Sequence, residues 1–348
     1  MYWLINSSIV SLLLVLSFAC SEPATSQAEQ DLDVVSSADH LGSIRRVSPR
    51  MDELIPEGAQ IEVLASGFVW SEGPLWLPDQ QRVIFSDVPQ NTIYTWKEGD
   101  SKAEIYLQPS GFTGQVERNG EPGSNGLALD QNGYLLLCQH GDRRLAKMNA
   151  SLSQPEPQFT DVATHYEEQR FNSPNDLCVS KSGLIYFTDP PYGLEKGMED
   201  PSKEIAFQGV YVIDQEGQIA LITDSLTRPN GIALSPDERL LYVAVSDPEG
   251  AKWYVYDLDE TGQATTGKLF YDVTEKVGKD HPGLPDGLKV NGDGVLFATG
   301  PGGVWVFEST GEHLGTIETG LPTANCAIGE GYLYMTADSL LLRVPLIP

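Results

Sequence analysis

Six short apolar runs in this chain are each headed by a residue with a side-chain oxygen. Glu72 precedes Gly73-Pro74-Leu75-Trp76, Asn125 precedes Gly126-Leu127-Ala128-Leu129, and Asn175 precedes Asp176-Leu177-Cys178-Val179. Asn230 precedes Gly231-Ile232-Ala233-Leu234, Asp286 precedes Gly287-Leu288-Lys289-Val290, and Asn325 precedes Cys326-Ala327-Ile328. Two carboxylates and several amide carbonyls, brought to one point, make the donor set of a hard divalent cation. Ca²⁺ suits that set best, with Mg²⁺, Mn²⁺ or Zn²⁺ as alternatives. Without a cation, Glu72 and Asp286 would repel each other in a partly dehydrated setting. At any single position the competing reading is that Asn or Asp caps a turn by bonding local backbone. Occurrence in phase favours metal binding for Glu72, Asn175, Asn230 and Asp286. Asn125 and Asn325 are weaker, because an Asn before Gly or Cys also shapes a turn.

The heads are 53, 50, 55, 56 and 39 residues apart. Self-similarity at that period signals a propeller or solenoid. Within the first unit, Pro74–Leu77, Val83–Ser86, Thr92–Trp96 and Ala103–Leu107 read as four short strands separated by turn residues, which makes a meander. Later units repeat the plan with turns such as Asp130-Gln131-Asn132-Gly133 and Asn291-Gly292-Asp293-Gly294, where Gly, Asn and Asp suit positive φ. The sixth unit ends after three strands, and Gln60–Leu64 is available to complete it and cover its edge. The expected fold is all-β: a six-bladed β-propeller with four-stranded antiparallel blades, the last closed by an N-terminal strand. Inner strands of a propeller run beside the central channel, so their heads converge near one mouth of it.

The motifs also resemble a known family. Ser71-Glu72-Gly73-Pro74, Asn172-Ser173-Pro174-Asn175-Asp176, Phe187-Thr188-Asp189-Pro190-Pro191-Tyr192-Gly193, Arg228-Pro229-Asn230-Gly231 with Ser235-Pro236-Asp237, and Pro285-Asp286-Gly287 occur in order. They are similar to the senescence marker protein/gluconolactonase/luciferin-regenerating-enzyme family, and most to its bacterial gluconolactonase-type branch. The likeness runs from about residue 60 to the end. It implies a propeller holding one divalent cation on Glu72, Asn175, Asn230 and Asp286, and hydrolysis of a small-molecule lactone. Some members of the family are credited with organophosphate hydrolysis, so a phosphotriesterase-like or broader ester hydrolase is the nearest alternative. A non-catalytic, calcium-stabilised propeller that binds a partner at the cell surface is the alternative of another class. On the lactonase reading the cation polarises the carbonyl, and water attacks. Asp286 then serves as general base or nucleophile, and Asn175 divides its role between ligand and substrate contact. Asn125, His140 and Tyr192 are candidates for substrate binding, Tyr192 on a lid formed by the irregular stretch that follows it. His281 is a weaker candidate.

The remaining chain bounds the setting. Residues 1–20 resemble a lipoprotein-type signal, with an apolar run over 4–19 and Cys20 as the acylated residue. The segment before the apolar run lacks Lys and Arg, and Ser17 stands where an aliphatic residue is usual, so an ordinary cleaved signal is the alternative. Residues 21–55 read as a flexible acidic tether and 56–348 as the hydrolase domain. The expected location is exported, in the bacterial periplasm or cell envelope, with membrane contact only through Cys20. With 22 basic against 49 acidic residues, the net charge of −27 argues against nucleic acid or an anionic membrane as partner. Cys138, Cys178 and Cys326 have no metal or redox spacing and read as small buried thiols. No Gly-flanked serine elbow or phosphate-cradling glycine loop is present.

Overall fold

The computed structural model describes residues 40–348 apart from Glu117. Six antiparallel sheets follow one another in chain order as the blades of a β-propeller. Blade 1 consists of Ser71–Leu77, Arg82–Asp87, Thr92–Lys97 and Glu104–Leu107. Blades 2 to 5 begin with the inner strands Ser124–Leu129, Leu177–Val179, Pro229–Leu234 and Leu288–Val290. In blade 6, Thr323–Gly329, Tyr332–Ala337 and Leu340–Pro345 are joined by Ile61–Ser66, which pairs with the last of them from Ser66 against Leu340 to Glu62 against Arg343.

The core lies in six apolar seams, one between each pair of neighbouring blades. Alternation along each strand sends one face into each seam, which is why both faces of a blade are apolar. Between blades 2 and 3, Phe187 stacks on Tyr211 with centroids 5.1 Å apart, and Phe171 meets Phe187 edge-on at 5.2 Å. Trp253, fully buried, fills the seam between blades 4 and 5. Truncating such a side chain costs about 3–5 kcal/mol.

One sequence expectation is corrected. Part of the tether assigned to 21–55 is folded, because His40–Leu41 pairs outside Ile61–Ser66 and Ser43–Arg46 pairs outside His313–Glu318. Met51, Leu54 and Ile55 then enter the seam between blades 5 and 6. Low aromatic content hid this, since strand pairing and three aliphatic anchors hold the segment. Cys20 and the signal-like run lie outside the described residues. Among the described residues no helix is long and apolar enough to cross a membrane.

What positions the heads is a defect repeated in the inner strands. Their pairing skips Gly73-Pro74 in blade 1, Asn125-Gly126 in blade 2 and Asn230-Gly231 in blade 4. A bulge of this kind re-aims a side chain out of the ladder. The glycine after the head has a packing reason as well. A Cβ on Gly73 would lie 2.0 Å from the Asn125 carbonyl oxygen, and one on Gly231 would lie 2.2 Å from that of Asp286. Adjacent heads can stand side by side only because these positions have no side chain.

Candidate active site

Glu72, Asn125, Asn175, Asn230 and Asp286, from five different blades, line one cavity of 590 Å³. A chain of hydrogen bonds runs across them. Asn125 Nδ2 donates to Asn175 Oδ1 at 2.9 Å, Asn175 Nδ2 to Asn230 Oδ1 at 2.5 Å, and Asn230 Nδ2 to Ser246 Oγ at 2.9 Å. Ser246 Oγ in turn donates to the Pro285 carbonyl, beside Asp286. At the other end Glu72 Oε2 accepts from the Gly73 N–H at 3.0 Å.

The electrostatics are strained. Burial is the first cause that pushes the Glu72 carboxyl up, with the charges of Asp176 and Glu121 adding to it. Burial also pushes Asp286 well up, and the charge of Glu72 is the next cause. Asp286 Oδ1 and Asn125 Oδ1 are buried acceptors that no donor reaches. Leaving such an atom unpaired costs about 1–3 kcal/mol. Two repelling carboxylates and two orphaned oxygens on residues that line one cavity fit an oxygen-coordinated divalent cation. Among the described residues no three His, Cys, Asp or Glu side chains cluster in a metal cage. A cation here would therefore depend on the amides as much as on the carboxylates.

The other sequence candidates divide. Tyr192 lines the cavity, and burial raises its hydroxyl's pKa. Its loop is pinned rather than free: Ser173 Oγ donates to the Pro190 carbonyl at 2.6 Å, the Gly193 N–H to Ser173 Oγ at 2.9 Å, and Leu194 and Ile205 are buried. In this structure Tyr192 stands in the cavity wall. His140 is fully buried behind Asn175, with Nε2 3.0 Å from Asn175 Oδ1, and it does not line the cavity. Asn325 sits against Gly287, its Oδ1 3.4 Å from Lys289 Nζ, and also stays off the cavity. His281 is exposed and outside the lining. Cys138 and Cys326 are fully buried thiols and Cys178 is half-buried.

Trp70, Glu121, Arg228, Ser246 and Lys279 also line the cavity, and the repeat gave no reason to choose them. Arg228 had one available signal, since it stands directly before Pro229-Asn230; its backbone is left-handed at φ 49°. Ser246 follows the second strand of its blade, where hydroxyls elsewhere brace the neighbouring head.

The model of the SMP-30/Gluconolactonase/LRE-like region matches residues 70–339. The chain belongs to this family. It is 40% identical over 311 residues to the gluconolactonase of Zymomonas mobilis, covering 87% of this chain and 86% of that one. It is 22% identical to a pentonolactonase of Haloferax volcanii, over 71% of this chain and 72% of the other. Among solved structures, a gluconolactonase of Xanthomonas campestris superposes with a TM-score of 0.75 at 30% identity, over 90% of this chain and 97% of that chain. The calcium-binding protein regucalcin of Agrobacterium tumefaciens shares the fold, with a TM-score of 0.63 at 18% identity over 82% and 93% of the two chains.

Proposed function

We propose that this chain is a divalent-cation-dependent hydrolase that opens a sugar lactone. The observation that carries the reading is the convergence of Glu72, Asn175, Asn230 and Asp286 on one cavity with an unpaired Asp286 oxygen. The gluconolactonase named for Zymomonas mobilis, similar along nearly its whole length, supports the lactone as substrate. Glu72, Asn175, Asn230 and Asp286 are the residues that would hold the cation. When bound, it supplies Lewis-acid polarisation of the lactone carbonyl.

The chain's own residues do the rest. Asp286 Oδ1 accepts the proton of the attacking water. The water oxygen bonds to the carbonyl carbon, the ring C–O bond breaks, and the proton passes to the departing alkoxide, giving the hydroxy acid. The Asn175 amide orients the lactone, and Asn125 contacts its polar groups. Trp70 and Tyr192 offer apolar faces to the C–H side of the sugar ring. We also propose export and anchoring through Cys20, which rests on the leader sequence alone.

The test is a panel of aldonolactones, simple esters and one phosphotriester assayed with wild type, Glu72→Gln and Asp286→Asn. Lactone turnover in the wild type and its loss in both folded variants are expected. Unchanged lactone turnover in either variant would remove that residue from the chemistry, and turnover of the phosphotriester alone would replace the substrate class.

A further inference from the structure

Behind the cation-site candidates stands a pair of residues that the proposed reaction does not use. His140 is fully buried, with Nε2 3.0 Å from Asn175 Oδ1 and Nδ1 3.3 Å from Glu121 Oε2. Glu121 itself lines the cavity. The surrounding turns hold the imidazole in place. A Cβ on Gly193 would lie 2.6 Å from His140 Cβ, so the Tyr192 loop packs directly on this side chain. Arg118 bridges the two turns by donating to the Gly141 carbonyl and, at 2.9 Å, to that of Gly193.

We propose that Glu121 and His140 form a positioning relay that decides which end of the Asn175 carboxamide faces the axis. The proposal rests on the cation reading given above. An imidazole nitrogen that faces an amide oxygen must carry the proton, and with the proton on Nε2 the Nδ1 atom has no hydrogen-bond partner despite the nearby carboxylate. A carboxylate next to Nδ1 favours the opposite tautomer, with the N–H directed at the carboxylate. Nε2 is then an acceptor. The Asn175 carboxamide answers by turning through half a rotation about its last bond, which brings Nδ2 to His140 and Oδ1 to the axis. Asn125 turns with it, because its Nδ2 would otherwise meet another donor. After the turn Asn125 Oδ1, unpaired in the first arrangement, accepts from Asn175 Nδ2. The rearrangement turns the His140 Nδ1–H towards Glu121 Oε2, 3.3 Å away, and adds the Asn175 oxygen to the axial set. In exchange it gives up the Asn175 Nδ2–Asn230 Oδ1 hydrogen bond and puts Asn125 Nδ2 in the unpaired place, a loss that a cation facing the two amide oxygens offsets. His140 and Glu121 act through Asn175, and neither touches the substrate's reacting carbon on this account.

The relay separates from a general charge effect by a double-mutant cycle on Ca²⁺ affinity, measured by titration calorimetry with wild type, Glu121→Gln, His140→Gln and the double variant. Glu121 is part-exposed, so its substitution leaves the core intact. Expected is a loss of about 10-fold or more in Ca²⁺ affinity for Glu121→Gln alone, and less than about 2-fold for the same change made in the His140→Gln background. Equal losses in both backgrounds, or no loss in either, overturn the relay. A second readout is independent of the affinities: ¹⁵N imidazole shifts of His140 in the Ca²⁺-loaded protein are expected to report the Nδ1–H tautomer in the wild type and a shift towards Nε2–H in Glu121→Gln. The same tautomer in both proteins also overturns it. Failure of the wild type to bind any divalent cation sinks the cation reading instead, and the imidazole spectrum, recorded with Ca²⁺ added, still decides whether Glu121 sets the tautomer.

Discussion

The Thr188 hydroxyl donates to the backbone carbonyl of Asn230 at 2.6 Å, tying the second strand of blade 3 to the head of blade 4. Equivalent braces run from Ser86 to the Asn125 carbonyl at 2.9 Å and from Thr299 to the Ala324 carbonyl at 3.0 Å. Heads that are bulged out of their own ladders are thus held by the blade before them. Thr188→Val keeps the shape and leaves the Asn230 carbonyl unpaired, so it should cost about 1–3 kcal/mol of stability. Urea unfolding checks the figure. An unchanged midpoint would show that the brace does not hold the head.

Glu72 and Asp286 should oppose folding when no cation is bound. Glu72→Gln removes one of two buried, mutually repelling carboxylates, so in chelator it should be more stable than wild type by about 1–3 kcal/mol. Added Ca²⁺ should reverse the order, because only the wild type gains from binding. Thermal melts with and without the cation decide it, and a variant less stable than wild type in chelator contradicts the account.

His313 gives a pH signature far from the cavity. Burial, followed by the Arg45 guanidinium, holds its imidazole down at about 4, and its ring packs 4.4 Å from that of Trp305. The unfolded side chain takes up a proton near 6.5. Between those values the unfolded chain binds the extra proton, so stability falls as pH drops through that window. From pH 7 to pH 5 the wild type should lose roughly 1–2 kcal/mol more than His313→Gln. Parallel losses in the two proteins would show that His313 does not titrate between the states.

Strand heads and blades were legible because the period of about 50 residues and the alternation within each strand act at the level of sequence. The grouping of Glu72, Asn125, Asn175, Asn230 and Asp286 on one cavity follows from that register. Glu121, Arg228 and Lys279 were not legible, since they stand outside the strands in connections that do not repeat. His140 reads as a substrate contact from its place at the end of the second strand of its unit, and only the packing of Gly193 against it reveals that it sits one layer behind. The folded stretch over 40–55 was hidden for another reason: its anchors Met51, Leu54 and Ile55 gain their partners only from blades 5 and 6, far away in the chain.

Cys20 carries its own test. Expressed in a bacterial host, the wild type should fractionate with membranes and take up labelled fatty acid, whereas Cys20→Ser should do neither. A soluble, unlabelled wild type would leave an ordinary cleaved leader as the reading, and label in the variant would move the acylation to another residue.

The most direct measurement is glucono-1,5-lactone hydrolysis by protein stripped with chelator, followed as Ca²⁺ is added back while bound metal is counted. Turnover should vanish on stripping and return in full at one bound ion per chain, with Asp286→Asn showing neither the ion nor the recovery. Hydrolysis at the original rate by protein that holds no metal would contradict the account.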